Sequence, residues 1–301
     1  MAPRVQLPAL QEPFPASFQA LLPALIATRS HVDAARVERL RARRAVLSQS
    51  GTFVGHRRYE RGDDLRHLDW SAYARTGELF TKQLEEDDRR AVTIALDLSP
   101  SMVVGAAQRR VGAMRLAAVI GGVALARLDG VAVAAPGASQ PHRRFHGTAQ
   151  LPLLLEHLRS LPLADVLPGD VSALVLESEG VGRLHWISDF APPRAFDRPL
   201  RALRRRGAKV TGWLPVVPED EAPSAGGYLK VVDPEHGREL SVPVDAPLRR
   251  ELQRQLDLLE RQQRRMFADV GAPLQRWAFA AQPVDAPTLA DHLPIVAACA
   301  R

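Results

Sequence analysis

Val92-Thr93-Ile94-Ala95-Leu96-Asp97-Leu98-Ser99-Pro100-Ser101 is an apolar run that stops on a carboxylate and then places a hydroxyl at every second residue. A short run with β-branched residues and no polar alternation reads as a strand buried on both faces, the central strand of a parallel sheet. Asp97 then sits in the crevice outside the carboxyl ends of the strands, where open α/β sheets bind ligands. Asp97, Ser99 and Ser101 bring one carboxylate and two hydroxyls toward a single point. Magnesium takes octahedral oxygen ligands at ~2.0–2.1 Å and keeps some of its waters, so this set suits Mg2+ or Mn2+. A second reading stands beside it: Ser99 or Ser101 caps the following helix, and Asp97 is a satisfied strand-end carboxylate. Capping needs one of these residues, whereas a metal site uses all three.

Working outward, helical spacing runs from about Gly105 to Arg127, followed by a strand at Val131 to Ala135 and a helix at Thr148 to Leu161. Ala173 to Leu176 is an apolar run of either type. Leu184 to Ser188 reads as a strand, Leu200 to Arg206 as the end of a helix, and Val210 to Val216 as another strand. This order predicts an α/β fold, a doubly wound and mostly parallel sheet with helices on both faces. Upstream, Phe80 to Leu84 reads as a strand at the start of this alternation. Downstream, Tyr228 to Val232 and Leu240 to Val244 flank Asp233-Pro234-Glu235-His236-Gly237 as a β-hairpin insertion. Leu248, Leu252, Leu256, Leu259 and Met266 mark a long amphipathic helix, Trp277 to Ala280 a last strand, and Leu289 to Ala298 a last helix. Residues 17–48 read as helix broken near Pro23. The expected organisation is therefore an N-terminal helical arm over 1–50, a segment packed on the main domain over 51–90, and the main domain over 91–301 with its hairpin at about 228–244.

The 301 residues are 46% hydrophobic and 25% charged, enough for a sizeable core. Of the 40 basic residues only Lys82, Lys209 and Lys230 are lysine. The arginines lie scattered along the chain and aromatics are 5% of it, so the +6 charge reads as coding preference and not as a nucleic-acid patch. A single cysteine, Cys299, fits a reducing compartment. The N-terminus lacks the basic-then-apolar order of a signal peptide. The most apolar run, Leu116 to Ala126, is far short of the ~20 residues that span a bilayer, so no membrane span and a cytoplasmic location are expected.

The Asp97-x-Ser99-x-Ser101 pattern resembles the metal-ion-dependent adhesion site of the von Willebrand factor A family. That resemblance implies two later contributions, from Thr148 at a helix start and from Asp189 at the end of the strand Leu184 to Ser188. It places Ser99, Ser101 and Thr148 on the metal and has Asp97 and Asp189 act through water. It also implies a sixth position filled by an acidic residue of a partner protein, so that the metal works as a docking clamp. Thr148, at its helix start, and Asp189, at its strand end, are both expected on the same carboxyl edge of the sheet.

A second resemblance lies upstream, in Arg58-Tyr59-x-x-Gly62-Asp63-Asp64-x-Arg66-x-x-Asp69-Trp70-x-x-Tyr73-x-Arg75. This is similar to the signature of the domain-of-unknown-function 58 family, and Ile187-Ser188-Asp189-Phe190, Asp233-Pro234 and Gly237 extend the likeness toward the C-terminus. The resemblance implies partnership with a MoxR-type AAA+ ATPase and a cochaperone or adaptor role in maturing protein complexes. Read from its residues, the segment sets Arg58, Arg66 and Arg75 against Asp63, Asp64 and Asp69 as an ion-pair lattice, with Gly62 in a tight turn and Trp70 as a packed anchor. The alternative is a partner-recognition surface. An enzyme is the competing class: a magnesium-dependent phosphohydrolase with Asp97 as nucleophile. The haloacid-dehalogenase pattern needs Asp-x-Asp, and Ser99 stands where the second aspartate belongs. GxxxxGK[ST], HExxH and GxSxG are all absent from the sequence. A non-catalytic, metal-dependent binding module is the expected function, with a structural domain carrying a vestigial site as the third possibility.

Overall fold

The computed structural model describes residues 12–29, 52–59, 68–85, 92–103, 109–127, 130–135, 142–161, 182–217, 227–232 and 239–278. In chain order the elements are α1 (Ala16–Arg29), β1 (Thr52–Arg58), α2 (Trp70–Thr76), β2 (Phe80–Glu85), β3 (Val92–Leu96), α3 (Arg109–Ala126), β4 (Gly130–Ala134) and β5 (His142–His146). There follow α4 (Leu151–Ser160), β6 (Arg183–Ile187), α5 (Pro193–Arg205), β7 (Lys209–Val216), β8 (Tyr228–Val232), β9 (Glu239–Pro243), α6 (Ala246–Ala268) and β10 (Leu274–Ala278). The chain divides into two compact units, residues 1–30 with 90–301 and residues 31–89.

The larger unit is an α/β fold around a six-stranded sheet of order β10-β7-β6-β3-β4-β5. Its pairs are parallel except β4 with β5. Strand β3 is buried at every position, as its unbroken apolar run requires. From β3 the chain passes through α3 to β4 on one side, then resumes at β6 on the other. The strand order therefore reverses between β3 and β6, and helices fall on both faces. One face carries α1, α3 and α4 over Ile94, Leu96, Val131 and Val133. The other carries α5 and α6 over Ala95, Leu184, Trp186 and Val210.

Helix α3 is buried around almost its whole circumference, which is why its sequence is apolar all round. Gly121 and Gly122 let its neighbours close in. A Cβ at Gly121 would lie 2.6 Å from Leu154 Cδ2, and one at Gly122 2.5 Å from Ile26 Cδ1. Arg110, 4% exposed, donates from Nη2 to the Leu161 carbonyl at the end of α4, a cation at the negative pole of that helix. No helix among the described residues is long and apolar enough to cross a membrane.

The N-terminal arm departs from expectation. Helix α1 continues through Pro23, and 30–51 lie outside the described residues. Phe14, Phe18 and Leu22 are 3% exposed or less and belong to the core around α3. Arg115 donates to the Pro13 carbonyl at 2.8 Å and stands 5.7 Å above the Phe18 ring. Arg159 pairs with Glu12 at 2.9 Å and stands 5.6 Å above the Phe14 ring. The arm is thus part of the core and not an appendage to it, because its aromatics cover the outer side of an apolar helix.

Three strand assignments also change. Strand β5 carries only Phe145 as a buried apolar residue in His-Arg-Arg-Phe-His, so its period is not visible in the sequence. Strand β1 lies in the 51–90 segment, for which no strand before Phe80 was expected, and β2 pairs with it, antiparallel across a bulge at Phe53 and Gly55, and not with the six-stranded sheet. The hairpin β8–β9 forms a separate two-stranded sheet as expected, and the helix expected at 289–298 lies outside the described residues.

Replacing Phe14 by Ala should lower unfolding stability by about 3–5 kcal/mol in urea titrations, the usual result of emptying a buried aromatic site. A change below about 0.5 kcal/mol would mean that the arm lies outside the core.

Candidate metal centre

Asp97 follows β3 and extends its ladder by one bond, Asp97 N to the Ile187 carbonyl at 3.0 Å. Beyond it, Leu98 and Met102 are buried at 1% and 0% exposure and pull alternate residues of the loop into the core. Asp97, Ser99 and Ser101 are left facing the sheet edge. A 3-10 turn at Pro100–Val103, with Met102 N donating to the Ser99 carbonyl, fixes the bend. Asp97 Oδ1 accepts from Ser99 N at 2.9 Å, and Ser99 Oγ and Ser101 Oγ lie 3.0 Å apart. The strand-end carboxylate of the capping alternative is therefore real, yet both hydroxyls also converge.

Asp189 is placed by the end of β6, the neighbour of β3 across the switch point. Its Oδ1 accepts from Ala191 N at 3.1 Å, and its side chain is also hydrogen-bonded to Ser101. Ser101 thus links Asp189 to the Asp97 loop, since its Oγ lies 3.0 Å from the Oγ of Ser99, whose backbone N–H donates to Asp97 Oδ1. Burial, and after it the charge of Asp97, push the Asp189 carboxyl up to about 6, against the pull of Ala191 N, Ser101 and Arg109. A cation between the two acids would remove the cause of that mutual repulsion. The donors are two carboxylates and two hydroxyls, hard oxygens that fit magnesium or manganese better than softer metals.

Thr148 does not join this cluster. Strand β5 runs antiparallel to β4 with His142 opposite Ala134 and His146 opposite Gly130, so it ends at the amino edge of the sheet. Thr148 begins the 3-10 turn just beyond, exposed and one strand length, roughly 16 Å, from the edge that bears Asp97. Missing β5 in the sequence put Thr148 on the wrong edge, since one antiparallel strand reverses the direction of the chain. The run at Ala173 to Leu176 lies outside the described residues.

Two residues complete the centre that motif spacing did not select. Ser188, 0% exposed, donates from Oγ to Asp97 Oδ2 at 2.6 Å and accepts from Phe190 N at 2.9 Å. It orients the Asp97 carboxylate and supports Phe190, whose φ of 50° is rare for a bulky residue. The Phe190 ring is locked between Trp186, Phe196 and Phe267 at centroid distances of 6.1, 5.3 and 4.9 Å. Gln263 of α6, 2% exposed, donates to the Asp189 carbonyl at 2.7 Å. Its signal was a lone amide on the apolar face of an amphipathic helix.

Three of the six charged residues of the upstream lattice, Arg58, Asp69 and Arg75, lie within the described residues. Arg58 pairs with Glu78 at 2.9 Å, and Arg75 donates to the Ser71 carbonyl at 3.3 Å. Asp69, 8% exposed, caps α2 by accepting from Ser71 N and Ala72 N at 2.9 and 3.0 Å, and Gly77 ends that helix with φ 69°. Trp70 is not a packed anchor: it is 64% exposed and meets Tyr73, 44% exposed, edge to face at 6.2 Å. Capping by Asp69 turns Leu68 and Ala72 inward in its place. Tyr59 is half-buried, while Gly62, Asp63, Asp64 and Arg66 lie outside the described residues.

A doubly wound sheet with Asp-x-Ser-x-Ser at its switch point and a second aspartate on the adjacent strand end defines a von Willebrand A-like domain. The chain belongs to the family described as "Protein of unknown function DUF58", which matches residues 55–263. It is 29% identical over 234 residues to the uncharacterized protein Rv1480 of Mycobacterium tuberculosis and equally to the uncharacterized protein Mb1516 of Mycobacterium bovis, covering 72% of this chain and 71% of each relative. Among solved structures it is similar to the conserved hypothetical protein BatB of Bacteroides thetaiotaomicron, at 19% identity, 70% and 98% coverage of the two chains and a TM-score of 0.39. It is also similar to an aerotolerance-related membrane protein of Bacteroides fragilis, at 16% identity, 69% and 98% coverage and a TM-score of 0.39.

Calorimetric titration with Mn2+ should show one site in the wild type and in Thr148→Ala, and none in Asp97→Ala. Loss of binding in Thr148→Ala would overturn the antiparallel pairing of β5 with β4.

The Asp189 shift also sets a pH dependence. Its folded value of about 6 exceeds its ordinary 3.8, so the folded metal-free protein holds more protons than the unfolded chain between these values. The stability it contributes is full below pH ~4 and is lost as pH rises through ~6. Asp189→Asn should abolish that fall in urea midpoints measured without metal, and saturating Mg2+ should offset it. An unchanged profile in Asp189→Asn would assign the slope to another group.

Proposed function

We propose that this protein is a non-catalytic, magnesium- or manganese-dependent binding module that docks an acidic side chain of a partner protein at the carboxyl edge of its sheet. The observation that carries this reading is the convergence of Asp97, Ser99, Ser101 and Asp189 at the β3–β6 switch point. Ser99 and Ser101 would hold the cation directly, with Asp97 and Asp189 balancing its charge. The bound ion supplies a Lewis-acidic site for one further oxygen ligand.

The protein's own contribution is rigidity. Both oxygens of Asp97 are engaged, Oδ1 by Ser99 N and Oδ2 by Ser188 Oγ. A carboxylate so held is an oriented acceptor and a poor nucleophile, which together with serine at position 99 weighs against phosphohydrolase chemistry. Resemblance to the MoxR-associated proteins makes a MoxR-type AAA+ ATPase or its client the partner to test first, with ATP hydrolysis residing in that partner. A cytoplasmic location accords with the single cysteine.

Purified protein mixed with a MoxR-type ATPase should associate in magnesium and dissociate in EDTA. Asp97→Ala should weaken association by roughly two orders of magnitude, with unchanged circular dichroism, as removal of one partner of a buried charged contact does. Association that survives both EDTA and Asp97→Ala would leave the site vestigial, and phosphatase turnover abolished by Asp97→Asn would establish the enzyme reading in its place.

A further inference from the structure

The arginines that lie scattered in the sequence are gathered by the fold. Helix α5 buries Phe196, Leu200 and Leu203 against the sheet. At ~100° per residue, Arg194, Arg198, Arg201 and Arg205 fall on one line about 180° away from that buried side. Helix α6 repeats the arrangement. It buries Gln263, Met266 and Phe267, and Arg250, Arg254, Arg261 and Arg265 line its outer side. All eight arginines are exposed, and the two helices pack together on the same face of the sheet. Five arginines against one aspartate in α5, and six against three acids in α6, leave an excess of seven positive charges. That is one more than the +6 of the whole chain.

The opposite face is loaded differently, which argues against coding preference as the cause. Its outer helix α4 exposes one arginine, Arg159, which is neutralised by Glu12, and α1 has none from Ala16 to Ile26. A preference acting on codons would load both faces alike. On the α5–α6 layer Arg201 pairs with Asp197 and Arg254 with Glu251. Among the described residues no carboxylate pairs with Arg194, Arg198, Arg205, Arg250, Arg261 or Arg265. Arginines repeated at i and i+4 repel one another, so the face is held against a local electrostatic penalty.

We propose that the outer face of the α5–α6 layer docks on an anionic phospholipid bilayer, its arginines paired with headgroup phosphates. Guanidinium groups bind phosphate through two parallel hydrogen bonds, and juxtamembrane arginines draw proteins to anionic lipid. Two helices side by side on a sheet make a flat layer, with rows about 17 Å and 22 Å long, and a bilayer is a flat array of phosphates. A duplex nucleic acid is convex and is read by an element that enters a groove, and single strands are held on exposed aromatic rings. The described part of this face has neither. Its one exposed large apolar side chain, Leu258 at 44%, sits in the gap of the α6 row between Arg254 and Arg261, where a shallow apolar contact with the interface belongs.

The test is flotation of the full chain with vesicles of equal parts phosphatidylglycerol and phosphatidylcholine, and with vesicles of phosphatidylcholine alone. The protein should float with the anionic vesicles only, and less as salt is raised. A variant carrying Arg198→Glu, Arg205→Glu, Arg261→Glu and Arg265→Glu should partition roughly a hundredfold less. The corresponding four-glutamine variant, which keeps the helices intact, should lose a smaller factor in the same direction. Equal partitioning of wild type and both variants would overturn the proposal, as would tight binding of duplex DNA with no flotation on anionic vesicles.

Discussion

Ser188 Oγ donates to Asp97 Oδ2 at 2.6 Å, with both residues buried, and through this bond the ends of β3 and β6 are locked to each other. The two strands meet where the sheet changes its winding direction, the place where loops part and a crevice opens. Without a tie across the gap, Asp97 would be a buried acid with one unsatisfied oxygen beside a second acid. With it, the carboxylate is oriented, the Asp97-to-Ser101 loop keeps its bend, and Asp189 is held close enough to feel the Asp97 charge. Negative charge is there concentrated by burial and aimed by hydrogen bonds, an arrangement that would suit a hard cation.

Support for that tie comes from both faces of the sheet. On one face α3 carries the chain away from the metal loop and is clamped between α1 and α4, with Gly121 and Gly122 allowing the close approach. On the other, α6 reaches the Asp189 carbonyl through Gln263, and its Phe267 packs on Phe190, immediately after the acid. Helix α6 thus couples two features of the larger unit. Its inner side holds one strand end of the candidate metal centre, and its outer side presents a row of arginines. The proposed docking edge and the proposed lipid-facing flank would together let one molecule bring a partner to an anionic surface.

The smaller unit follows a different economy. Among its described residues, β1 and β2 form an antiparallel pair, and the short helix α2 is capped at both ends, by Asp69 and Gly77. Such caps satisfy the backbone groups that a helix end leaves without partners. Trp70 and Tyr73, the largest side chains of α2, are exposed on this capped helix.

The sequence by itself determined the parallel sheet, the strand-end position of Asp97 and Asp189, the convergence expected of Ser99 and Ser101, the hairpin and the long amphipathic helix. Each of these rests on local periodicity or on spacing within a few residues, which a chain displays before it folds. Only the tertiary structure decided the edge to which Thr148 belongs, because that depends on the direction of β5, an edge strand with one buried apolar residue and no readable period. The same holds for Ser188 and Gln263, whose hydrogen bonds join residues 91 and 74 positions apart. Packing likewise placed α1 in the core and turned Trp70 outward. The arginines, evenly spread along the chain, became two parallel rows because helix phase and the pairing of α5 with α6 decide which side chains share a surface, and neither is encoded in composition.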